Sequence, residues 1–255
     1  MERQKNRTIK IRAIDEPAAL LEHLGELRKR IINSLLVIVF CACLVYPFIP
    51  GIIKNLTHPV GKLYFLTPTE AFFTRIKLTI FLGLFISLPF VFYQIWIFVE
   101  RGLLSREKFF VLPITLLSFF LFTVGACFGY FVIVPVGVQF LLSYGTETLV
   151  PMISVSRYIS FLFALVFSFG LIFELPLVMG FLAKIGILNY QGLKKNRRIA
   201  IVAIFIVAAA LTPGPDVFSQ LLMAGPLLVL FEAGVLVAYL IEKKNRIAGA
   251  AAEKV

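Results

Sequence analysis

Six apolar runs dominate the sequence and set what it can fold into: residues 31–49, 72–99, 109–134, 158–183, 199–211 and 217–241. About 20 apolar residues cross the ~30 Å hydrocarbon layer of a bilayer. A chain in lipid must satisfy its backbone groups internally, so apolar runs of this kind cross as helices. The first four runs and the sixth have that length. The fifth has 13 residues, only ~20 Å of helix at ~1.5 Å per residue. The chain is 60% hydrophobic and only 15% charged, against about 25% charged in soluble domains. The reading is an all-α polytopic membrane protein with six transmembrane helices, the last two forming a short pair. One membrane domain, 20–242, is expected between a basic cytoplasmic tail, 1–19, and a second tail, 243–255. The opening MERQKNRTIKIR is basic and polar, with no short apolar core and small-residue cleavage site behind it.

The net charge is +11. On a soluble protein that would suggest nucleic acid. Here the cations sort by side instead. With six crossings, 20 of the 25 Lys and Arg fall on the side of the two termini, leaving Lys54, Lys62, Arg75, Lys77 and Arg157 opposite. Cytoplasmic loops hold such an excess, so both termini are expected in the cytoplasm, with no nucleic acid partner.

Runs five and six are joined by TPGPD, residues 212–216, where two prolines around a glycine force a tight reversal. A pair this short either thins the bilayer around it or tucks its ends into a protein cleft. Pro89, Pro113, Pro176 and Pro226 interrupt other spans. Each removes a backbone donor and can bend its helix toward a curved, concave wall, although proline is common in membrane helices generally. The loops 50–71 and 135–157 are apolar and punctuated by Pro and Gly, which suggests short helices lying on the outer surface. No internal repeat of the kind seen in many transporters is visible.

The residues for catalysis are missing from the sequence. His23 and His58 are the sole histidines and fall on opposite sides, and there is no HExxH, GxSxG, GxxxxGK[ST] or GxGxxG. Cys41, Cys43 and Cys127 lie inside apolar runs and read as free thiols. No enzyme activity, metal or cofactor is expected.

What remains is acid in unusual places. Around Glu26, Leu20, Leu24, Leu27 and Ile31 share one helical face, while Glu22, Glu26 and Arg30 share another. Glu26 is then either half of an exposed ion pair with Arg30, worth about 0–1 kcal/mol, or part of a guanidinium site. Glu100 and Glu107 stand among Arg101, Arg106 and Lys108. They read either as a solvated boundary or as carboxylates at the mouth of an apolar groove, suited to the two parallel bonds of a guanidinium. Glu174 is ten residues before Lys184 and Glu232 ten before Glu242. At ~1.5 Å per residue both lie near mid-bilayer, where a carboxylate is protonated or paired. They serve either as interhelical hydrogen-bonding groups or as a polar patch for a partner. Asp216 fits an ordinary N-cap, followed by Ser219 and Gln220.

Five stretches in order resemble TatC, the multi-spanning receptor subunit of the twin-arginine protein translocase: HLGELRKRII (23–32), TPTEAFFTRIKLTIFLGLFISLPFVFYQIWIF (67–98), GLLSREK (102–108), FGLIFELP (169–176) and LTPGPDVFSQLLMAGPLLVLFEAGV (211–235). The resemblance implies a receptor for signal peptides with consecutive arginines, carried by folded cargo, at the cytoplasmic face. It implies work in an oligomeric complex with single-span TatA- and TatB-type partners, driven by the proton-motive force. By the same resemblance Glu26, Arg28, Phe98 and Glu107 belong to the signal-peptide site and Glu174 is the membrane-buried acid, with Glu232 grouped beside it. Thr212, Pro213, Asp216 and Gln220 fall in the partner-docking region. Arg101 stands where family members commonly carry proline, and TPGPD where many have TPPD.

Two guanidinium–carboxylate contacts at roughly 1.5–3 kcal/mol each fall short of the ~8 kcal/mol of micromolar binding. The apolar part of a signal peptide must then be buried too, at ~25 cal/mol per Å². The alternative function is a proton-coupled small-solute transporter with Glu174 as its proton carrier.

Overall fold

The computed structural model describes residues 2–57, 63–101, 111–143, 152–211 and 217–252. Side chains are described for 23–56, 63–99, 111–140, 142–143, 152–210, 217 and 220–244. Helices follow one another: α1 (Glu2–Val45), a 3-10 turn (Tyr46–Phe48), α2 (Ile49–Thr57), α3 (Pro68–Arg101), α4 (Val111–Phe128), a π-helical turn (Gly129–Ile133), α5 (Val134–Leu142), α6 (Val155–Phe173), α7 (Leu175–Lys184), α8 (Tyr190–Lys195), α9 (Arg197–Leu211) and α10 (Val217–Ala252). Among the described residues the only β pairing is an isolated bridge between Tyr64 and Ser154.

Among the described residues, five helical stretches are long and apolar enough to cross a membrane: His23–Leu56, Pro68–Val99, Val111–Phe140, Val155–Lys184 and Gln220–Lys244. Large side chains such as Leu36, Phe40, Phe131 and Val229 are more than half exposed, an apolar surface that water would not tolerate. The expectation of a short final helix does not hold for α10, whose apolar stretch alone has 25 residues. α9, with 15 residues, is the short member. The loops expected to hold short helices do contain them, as α2 and α5. Pro47 falls in the 3-10 turn before α2 and Pro135 in the first turn of α5, a position that proline favours.

The contacts divide the chain into two units. In the first (1–49 and 78–117), α1 and α3 run antiparallel and touch backbone to backbone. A methyl group at Gly83 would lie 2.7 Å from the Cα of Ala42. Leu78, Leu88, Phe92 and Trp96 are buried here. Pro89 sits inside α3, and two residues earlier the Ser87 hydroxyl donates to the Leu84 carbonyl (2.8 Å).

In the second unit (50–77 and 118–255), α4 meets α6 through Phe122 and Phe169, 1% and 0% exposed. Side chains at Gly125 and Gly170 would collide with Phe173 and Phe122 respectively, so these glycines set the helix separation. α7 and α10 pack in the same way, Val237 filling the space above Gly180 and Met179 the space above Gly234. Pro176 has no N–H and would clash with the carbonyl four residues back. The helix accordingly breaks at Glu174 and restarts as α7 with Pro176 in its first turn. At the start of α6, Ser154 caps Arg157 N–H (3.3 Å). Tyr64 exchanges two 3.0 Å backbone bonds with Ile153 and Val155.

Candidate functional site

α1 and α3 build a ladder of polar rungs in the first unit. His23, Glu26 and Arg30 recur at helical spacing on α1, and Gln94 and Phe98 are one turn apart on α3. The Arg30 guanidinium donates to Glu26 Oε1 through Nε (2.8 Å) and through a terminal nitrogen as well. Its other terminal nitrogen donates to Gln94 Oε1 (2.8 Å). The His23 ring stacks on Phe98 with centroids 4.3 Å apart and planes 24° from parallel. The Arg30 and Glu26 side chains are 13% and 15% exposed. This is therefore not the solvated surface pair that spacing alone allowed. Both bonds from Arg30 to Glu26 fall on one oxygen, which differs from the two-oxygen fork of a paired guanidinium and carboxylate.

Of the four residues expected in this site, Glu26 and Phe98 stand in adjacent rungs, while Arg28 is exposed. Glu107 lies outside the described residues. Sequence reasoning missed Gln94, and treated His23 only as an unlikely catalyst. The signal was present in the one-turn spacing from Gln94 to Phe98, but α3 offered no way to tell which of its faces meets α1.

The second polar locus is in the membrane. Glu174 is 7% exposed, the single carboxyl side chain in the buried set among the described residues. Ser118 on α4 hydrogen-bonds its carboxyl, whereas its Oε1 is buried without a hydrogen-bond partner in the described structure. Glu232, expected to resemble it, has a different environment. Its Oε2 accepts from Arg197 at 2.7 Å, with side chains 51% and 41% exposed. The sequence placed Arg197 among the cytoplasmic cations and gave no hint that the antiparallel return of α10 brings Glu232 beside it.

Of the docking residues, Gln220 donates through Nε2 to the Phe205 carbonyl (3.1 Å) and so ties α10 to α9. Thr212, Pro213 and Asp216 lie outside the described residues. The three cysteines are free thiols. No group of three potential metal ligands occurs among the described residues.

Apolar helices of membrane-crossing length, tied together by a few polar contacts, define a polytopic helical membrane protein. Comparison with known proteins makes this specific. The chain belongs to the TatC family of Sec-independent protein translocase proteins, whose family model matches residues 22–226. It is 43% identical over 235 residues to the TatC protein of Carboxydothermus hydrogenoformans, covering 91% of this chain and 97% of that one. To TatC of Aquifex aeolicus it is 37% identical over 235 residues, covering 89% and 97%. A crystal structure of the twin arginine translocase receptor TatC superposes with a TM-score of 0.77 at 36% identity, covering 86% of this chain and 99% of that chain. The protein is thus a translocase component of a non-enzymatic transport family. That membership sets aside the reading as a proton-coupled small-solute transporter.

Proposed function

We propose that this chain is the receptor subunit of a twin-arginine translocase and binds signal peptides bearing consecutive arginines at the α1–α3 ladder. The observation that carries this reading is the Arg30–Glu26–Gln94 rung, in which a guanidinium is already held by a carboxylate and an amide. The same groups accept a peptide arginine when Arg30 swings aside or shares Glu26. Phe98, one turn away, offers its ring to the apolar segment behind the arginines. Arg28 and Glu107 complete the site, with Glu107 as a second carboxylate from the segment after α3. Lysine cannot reproduce the planar fork, so the site favours Arg-Arg over Lys-Lys.

In this reading α9 is a sixth, short crossing, and both termini face the cytoplasm because most cations flank them. Residues 20–242 act as the membrane domain between two basic tails. Single-span TatA- and TatB-type partners dock on α9 and α10 around Gln220, with Thr212, Pro213 and Asp216. Glu174 supplies a polar group to a partner or peptide in the membrane.

The test is photo-crosslinking of a labelled twin-arginine peptide to the reconstituted protein, with adducts mapped by residue. Adducts are expected near Glu26 and Phe98. Adducts confined to the Pro68 end of α3 and the segment before α6 would refute the site.

A further inference from the structure

At the Pro68 end of α3 the second unit carries a cation that the translocase reading does not use. Lys77 lies nine residues into α3, ~13 Å along the helix, within an apolar stretch of membrane-crossing length. Its side chain runs back toward the helix start. Nζ donates to Ser160 Oγ (3.0 Å) and Ser156 Oγ (3.3 Å), both in the first two turns of α6. Side chains of helical lysines lean toward the N-terminus and carry their charge to the membrane boundary this way.

The cluster is rich in donors and poor in acceptors. Each serine oxygen accepts from Lys77, and neither hydroxyl hydrogen is committed to a partner among the described residues. The ammonium has a third N–H. Arg157, next to Ser156 and exposed, adds a guanidinium. Neither Lys77 nor Arg157 is ion-paired among the described residues. The facing acid is Glu70, but its carboxylate is engaged by the Ser154 hydroxyl, Ser156 N–H (3.0 Å) and Leu66 N–H (2.6 Å). Among the described residues, two positive charges therefore stand against one carboxylate whose acceptor sites are largely filled.

We propose that Lys77, Ser156, Ser160 and Arg157 bind the phosphate of an anionic phospholipid in the headgroup layer at the Pro68 end of α3. A phosphate diester supplies several acceptor oxygens and one negative charge, which the cluster lacks. A lipid fits better than a free ion because Phe73, one turn from Lys77 on the same face, and Ile76 beside it expose 56% and 36% of their surface, an apolar wall suited to an acyl chain. This site does not depend on the receptor reading above.

The experiment is native mass spectrometry of the full-length protein released from detergent with phosphatidylglycerol, phosphatidylcholine or inorganic phosphate. Wild type is expected to retain one phosphatidylglycerol in preference to phosphatidylcholine. Lys77→Gln should lower that retention about fivefold, the effect of one basic residue at an anionic surface, and Lys77→Arg should restore most of it. The double variant Ser156→Ala/Ser160→Ala should lose retention while unfolding at the wild-type temperature. Undiminished retention in Lys77→Gln, equal retention of the two lipids, or displacement of phosphatidylglycerol by millimolar phosphate would overturn the proposal. Peptide binding is expected to be unchanged in Lys77→Gln.

Discussion

Arg30 lies across Glu26 and reaches Gln94 with its remaining guanidinium nitrogen, so one side chain ties two helices at a half-buried carboxylate. The arrangement makes Arg30 both a support for Glu26 and a competitor for it.

Removing that competitor should have opposite effects on binding and stability. Arg30→Ala takes one competitor away from Glu26 and leaves Glu26 and Gln94 each a donor poorer. A charged hydrogen bond contributes roughly 1.5–3 kcal/mol, discounted here because the pair is partly solvated. The variant should unfold with a loss of about 1 kcal/mol yet bind a twin-arginine peptide no worse than wild type. Denaturant unfolding in detergent and peptide titration on one preparation would show both.

Beside the Phe122 backbone N–H, Glu174 has one side-chain partner, the Ser118 hydroxyl. Ser118→Ala removes it and leaves the buried carboxyl poorer by a partner, at a cost of about 1–3 kcal/mol. Replacing both groups, as Ser118→Ala with Glu174→Met, should recover most of that loss, because an apolar pair of similar shape leaves nothing unsatisfied. The same unfolding assay on the single and double variants checks it.

Arg197 and Glu232 should couple. Each is about half exposed in the isolated chain, which in water would make the pair worth about 0–1 kcal/mol. Lipid around α9 and α10 screens less, so a double-mutant cycle with Arg197→Gln and Glu232→Gln should give a larger coupling in bilayer nanodiscs than in detergent. Equal coupling in both would mean that water reaches the pair.

The glycine contacts make a sharper stability prediction. Gly170→Ala places a methyl 2.5 Å from the ring of Phe122, and overpacking of this kind costs about 1–3 kcal/mol. Gly25→Ala meets nothing within 4 Å and should be neutral or slightly stabilising, since alanine is the better helix former by roughly 1 kcal/mol. Thermal unfolding of the two variants side by side separates them.

The helices were legible because hydrophobic length is a one-dimensional property. Runs 72–99 and 158–183 map directly onto α3 and onto α6 with α7. The break at Glu174 was not legible, because Pro89 and Pro226 stand inside unbroken helices while Pro176 opens a new one. Rotation about each helix axis was not legible. Glu232 reads like Glu174 in the sequence, yet one is ion-paired and half exposed and the other buried beside a serine. An apolar run that is hydrophobic all round carries no moment to say which face turns inward. Gln94 went unnoticed for the same reason.

The central claim is that Glu26 holds a peptide guanidinium, and the discrimination between Arg-Arg and Lys-Lys peptides tests it most directly. Affinities of the two peptides are measured on wild type and on Glu26→Gln in the same nanodiscs. The account predicts that wild type prefers Arg-Arg by about tenfold or more, equivalent to ~1.4 kcal/mol, and that Glu26→Gln loses most of the preference. Equal affinity of the two peptides for wild type, or an unchanged preference in Glu26→Gln, would contradict it.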